Sequence, residues 1–113
     1  MSDEAVTREV VLDVRLPQVL PIERVEVRRI RMAAGHPAGL HVHNGPVVGN
    51  IVTGSVTYQV DGEPARELSA GDVFYEPEGA RISKFDAGPD GVEFLAYFPL
   101  SLGQQPEMTF PEP

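Results

Sequence analysis

Cysteine is absent from the 113 residues. That one absence removes disulfides, thiolate nucleophiles and thiolate-ligated zinc or iron–sulfur sites together. Basic residues are scarce as well: nine Lys and Arg stand against seventeen Asp and Glu, a formal net charge of −8. A surface so acidic repels phosphate backbones and anionic lipid, so neither nucleic acid nor a membrane is an expected partner. No apolar run approaches the roughly 20 residues that cross a bilayer. The Met-Ser-Asp-Glu start shows no basic stretch leading into an apolar one, so no export signal is read there and a cytoplasmic location is expected. Nor does any segment carry a convincing helical period.

What the chain does have is punctuation. Eleven glycines and eleven prolines imply many turns, and a chain of this length fills one domain, taken here as residues 1–113. Short alternating runs between the turns favour an all-β architecture. Residues 1–7 read as a loose terminus, and residues 9–14 as a first strand with Val10, Leu12 and Val14 on one face. Residues 24–32 form a second strand whose apolar parity changes from Val25 and Val27 to Ile30 and Met32. A β-bulge near Arg28 and Arg29 would reconcile the two halves. The arginines at 24, 28, 29 and 31 admit a phosphate-binding reading, weighed against simple balancing of an acidic surface. Further strands are expected over 47–53, broken at Gly54, then over 55–60, 66–68, 73–76 and 81–85. Asp61-Gly62 is the strongest hairpin signal. Residues 86–91 read as a turn, and 92–99 as a central strand buried on both sides. Residues 100–113 form a tail that packs on a neighbour or stays loose. Eight or nine short strands make a sandwich or a barrel.

One stretch concentrates the chemistry. All three histidines, His36, His41 and His43, fall within residues 35–54, among repeated glycines and prolines. If residues 40–43 are extended, His41 and His43 point to the same face and present two imidazoles side by side. Paired imidazoles suit a metal ion. The plainer reading is two polar side chains facing solvent on an edge strand. His36 reads as a loop residue.

With those residues in view, the sequence resembles the single-domain cupins, small jelly-roll barrels built as a double-stranded β-helix. The resemblance covers roughly residues 23–99. Gly35, His41, His43 and Gly54 fall at the places of the first cupin motif, and Gly71, Pro77 and Gly79 at those of the second. It implies a cupin barrel without a major helix, a small-molecule site inside it, and one divalent ion such as Fe, Mn, Ni or Zn, with no organic cofactor. It also implies a homodimer in which residues 9–14 cross to a partner barrel.

The departures from the motif bear on function. The family's glutamate ligand falls at Val47, its last histidine ligand at Ile82 and its closing asparagine at Asp86. Two neutral imidazoles alone hold a divalent ion weakly, so a bound metal needs a substitute ligand. Glu76 is the candidate: it ends an apolar Val-Phe-Tyr run, where a buried carboxylate needs a partner. Against that stands an outward Glu76, solvated or paired with Arg81. Its parity is ambiguous in a four-residue strand between turns. Glu78, in a turn, reads as solvated. Three functions stay open. His41, His43 and Glu76 hold a metal for dioxygenase- or isomerase-type chemistry on a small acid, with Ile51, Phe74, Ile82 and Phe94 lining the pocket. Alternatively, the barrel binds a small molecule without metal or catalysis. In the third, His41 or His43 is a general base and Tyr58 or Tyr75 the proton donor.

Overall fold

The computed structural model describes residues 5–112. The Met-Ser-Asp-Glu start lies outside that range, as does Pro113; of the terminus read as loose, residues 5–7 are described and are exposed.

Alternation of apolar and polar side chains sets the architecture. Among the described residues there is no helix, and the strands are β1 (Arg24–Met32), β2 (Val42–His43), β3 (Val47–Val60), β4 (Arg66–Ser69), β5 (Val73–Glu76), β6 (Ile82–Leu100) and β7 (Met108–Thr109). All pairings are antiparallel. The main sheet runs β1-β6-β3-β4, β5 adds to β3, and β2 and β7 form a separate two-stranded ribbon.

Two long strands carry the fold, and both replace expected breaks. Residues 86–91, read as a turn, lie within the nineteen residues of β6, where the ladder to β3 skips residues 88–91. Gly54, read as the end of a strand, lies inside the fourteen residues of β3. The β3–β6 ladder absorbs these weak points as register shifts at Ile51/Thr53, Gly54/Val56 and Gln59/Val60. Such irregularities bend a strand without ending it, which lets a sheet curl around its own core. Gly54 adopts φ +79° at one of them, a conformation open to glycine at little cost.

The expected bulge in β1 is absent. Its register with β6 is unbroken from Arg24↔Leu100 to Met32↔Val92. Ile30 and Met32 therefore face inward, while Val25 and Val27 face outward and are more than half exposed. The parity change in the sequence reports an apolar outer face rather than an inserted residue.

The first expected strand is also corrected. Residues 9–14 form no backbone ladder, and Val10 is 81% exposed. Alternation alone does not make a strand, because an unpaired strand leaves its backbone groups to water. The tail, by contrast, is placed: Met108–Thr109 pairs with Val42–His43, and Met108 and Phe110 line a cavity with the strands. Beneath it the core gathers Ile51, Val56, Leu68, Phe74, Ile82 and Leu100, each at most 3% exposed.

Candidate metal centre

The histidine segment is extended, as its spacing requires. His41 is bridged to Ile82 through both backbone hydrogen bonds, with His41 N donating to Ile82 O at 3.1 Å and Ile82 N to His41 O at 2.8 Å. His43 lies opposite Met108 in the ribbon. Both imidazoles turn into the barrel, where His41 is 3% exposed.

Glu76 comes from β5, whose parity is set by Phe74. That ring is among the most buried in the protein, and two residues later Glu76 lies on the same inner face, 3% exposed. Arg81, its other conceivable partner, pairs instead with Asp61 at 3.5 Å and donates to Glu112 O at 2.9 Å. The β3–β5 register pairs Glu76 directly with Val47. Directly opposed residues carry their side chains on one face, about 5 Å apart. Glu76 thus lies beside Val47, the position at which the resemblance expects a carboxylate.

The three side chains converge. Glu76 Oε2 lies 3.7 Å from His41 Nε2 and in contact with His43 Nε2, and the ring centroids of the two histidines are 5.0 Å apart. One donor atom from each falls within 4.8 Å of the others. Two ligands on opposite sides of one ion, each about 2.1 Å from it, are about 4.2 Å apart, so small side-chain rotations would bring all three onto a common ion.

The protonation pattern is the informative part. His41 Nδ1 is 2.8 Å from Gly39 O, a carbonyl that can only accept, so Nδ1 carries the proton. In the neutral ring Nε2 then presents a lone pair toward a carboxylate. Burial works against charge on His41, yet the Glu76 carboxylate and the Gly39 carbonyl outweigh it and raise its pKa. Burial likewise disfavours the Glu76 anion, but the two imidazoles outweigh that and hold its pKa low. The carboxylate is satisfied either by a ring N–H from an imidazole or by a metal ion among the three groups.

The cluster forms one wall of a cavity of about 560 Å³. Phe74 and Phe94 line it as expected, joined by Phe85, Phe98, Met32 and Met108. Ile51 and Ile82 do not; they are packed into the core at 1% and 0% exposure. His36 is exposed in its loop at the rim, and Glu78 is exposed in its turn. Neither tyrosine serves the cavity. Tyr58 donates its hydroxyl to Tyr75 O at 2.6 Å, and burial pushes the phenol up, with the Glu76 charge adding to the effect. Sequence reasoning missed the tail as a wall. Its signal was there in Met108 and Phe110, two large apolar side chains in an otherwise polar segment.

Comparison with known families matches residues 28–94 to the cupin domain. The chain belongs to the cupin family. Solved structures similar to this cupin include an oxalate oxidase in complex with the substrate analogue glycolate (22% identity, TM-score 0.64, covering 76% of this chain and 45% of that one). Another is the DMSP lyase DddQ from Ruegeria pomeroyi DSS-3 (24%, 0.66, 79% and 45%). A third is a variant of the oxalate decarboxylase of Bacillus subtilis (23%, 0.68, 78% and 24%). This cupin therefore spans less than half the length of those proteins, and at such identities the likeness speaks to the fold. No curated protein matches it in sequence.

Proposed function

We propose that this cupin holds one divalent metal ion on His41, His43 and Glu76 and uses it on a small molecule bound in the adjoining cavity. The observation that carries the reading is the buried Nε2 of His41, proton-free in the neutral ring and aimed at the Glu76 carboxylate across 3.7 Å. A two-histidine, one-carboxylate set is a common donor combination for first-row metals. When bound, Fe, Mn, Ni or Zn would supply Lewis-acid polarisation of a hydroxylated or enolisable acid, or, for iron, dioxygen chemistry. The protein's own part is to fix the donors. Gly39 O holds the His41 tautomer, the β2–β7 ribbon holds His43, and the β3–β5 register holds Glu76. The glycolate in the name of one similar structure, a small monoanion, fits a small organic acid as the substrate class.

Elemental analysis of protein purified without an affinity tag or chelator tests the reading. One equivalent of metal per chain is expected, and none in the His41→Ala/His43→Ala double variant with its fold retained by circular dichroism. Unchanged metal in that variant would overturn the site. No uptake by the wild type on titration would leave a metal-free binding barrel.

We also propose a homodimer. The support is an apolar outer surface: Val10, Val11 and Val19 on residues 5–22, and Val25 and Val27 on β1, are all more than half exposed. A second copy would cover it.

A further inference from the structure

We infer that the ligand of this site is a monoanion with a ring-sized apolar body, its charged end at the His41–His43–Glu76 cluster and its body in the aromatic chamber behind it. The inference rests on the metal reading above and adds the substrate class.

The chamber is polar at the cluster and apolar beyond it. Phe74, Phe85 and Phe94 form a continuous wall of rings, with centroid separations of 5.2, 4.8 and 6.0 Å for the three pairs. Phe98 extends that wall toward His43, ring centroid to ring centroid 6.4 Å. Met108 and Phe110 of the tail also line the chamber, half-exposed at its mouth. Apolar walls of this area favour an apolar ligand body and penalise a buried charge without a partner.

Charge balance fixes the other end. A divalent ion with one carboxylate and two neutral imidazoles leaves one positive charge, which a single anionic group neutralises. A second anionic group in the apolar body would need a second cation there; His36 stands only at the exposed rim, and the two arginines bordering the chamber are committed. The Arg28 guanidinium donates to Glu26 Oε2 at 2.6 Å and lies 5.3 Å over the Phe98 ring. Arg31 donates to Glu93 Oε1 at 2.8 Å. A dianion such as oxalate therefore fits this chamber poorly, although oxalate enzymes share the fold.

The probes are acetate, 4-methylbenzoate and terephthalate, titrated calorimetrically into protein whose metal content is measured on the same sample. They separate the anionic end, the apolar body and a second charge placed where the body should lie. The expected result is 4-methylbenzoate at least about 10-fold tighter than acetate, and terephthalate at least about 10-fold weaker than 4-methylbenzoate. Phe110→Ala should loosen 4-methylbenzoate more than acetate. Metal uptake with acetate or terephthalate binding as tightly as 4-methylbenzoate would overturn the inference and leave the metal centre standing. If no metal is taken up, toluene reads the chamber alone. Saturable toluene binding would then keep the apolar body while the metal reading falls, and its absence would overturn both.

Discussion

Glu76 is the residue on which the site turns, because a carboxylate in an apolar cavity is stable only with a counterpart. In the metal-free protein that counterpart is the pair of imidazoles, and the linkage can be worked out by sign. The raised pKa of His41 gives stability that is fully present below its ordinary value of 6.5 and is lost as pH rises through the folded value. The lowered pKa of Glu76 gives stability present above its ordinary value of 4.5 and lost as pH falls through the folded value. The stability difference between chelator-treated wild type and Glu76→Gln should therefore be largest between pH 4.5 and 6.5. Urea titrations across the acid-to-alkaline range would check this, and a difference that grows steadily toward alkaline pH would contradict it. With metal present, Glu76→Gln should weaken affinity by more than the roughly 10–100-fold that loss of an outer-sphere partner costs. Competition with a chelating indicator dye measures this, and equal affinity would return Glu76 to a structural role. At this scale much was legible. The spacing of His41 and His43 announced a shared face, and a lone carboxylate ending an apolar run announced Glu76. Its inward turn was not legible, because four residues between turns fit either parity until Phe74 is seen to be buried.

Strand register explains how a motif with two substituted ligand positions can still present three donors. Val47 and Glu76 are opposed across β3 and β5, so a carboxylate at either position lies on the same face of the sheet. Exchanging the two should then be tolerated. Glu76→Val alone is expected to abolish metal binding, and Val47→Glu added to it should bring affinity back to within about tenfold of wild type, as site geometry is shared across the pair. A double variant as inert as the single one would show that the β5 position is special. The long strands invite a second test. At Gly54 a methyl group would run into the carbonyl oxygen of Gly91 and would have to hold φ +79°. The backbone term alone is about 1–2 kcal/mol, and the clash with main chain adds to it. Gly54→Ala should lower stability in urea by at least that sum's first part, and a neutral effect would mean that β3 re-registers at its bulge. Gly54 and residues 86–91 were misread as strand ends for one reason. Glycine-rich and polar segments have turn propensity, but here the ladder resumes on either side of them, so the break becomes a register shift inside one strand.

The whole molecule shows where the sequence pattern outruns the single chain. A compact chain of this length has a radius of gyration of about 13 Å, whereas this one has 15.2 Å and a longest extent of 52 Å. Residues 5–22 contribute to the excess, being largely exposed and without a ladder. Val11, Leu12 and Val14 border a groove of about 620 Å³ that includes Tyr58, Val73 and Tyr75, yet no backbone pairing joins them to it. The alternation of Val10, Leu12 and Val14 is a strand pattern lacking a partner, and β1 presents Val25 and Val27 on a free sheet edge. On the homodimer proposed above a second copy would cover both; in the single chain residues 9–14 form no strand, so the expectation of one there fails. The His41–His43–Glu76 cluster lies on the inner face, so assembly and the proposed metal binding should be separable. Light scattering should give a dimer for the wild type, and Val25→Glu/Val27→Glu should give a monomer, because two carboxylates cannot be covered there without partners. Metal content should stay at one equivalent per chain in that variant. A wild-type monomer would leave the apolar arm without a function, whereas loss of metal on dissociation would mean that the second copy helps to hold His43 or the tail that pairs with it.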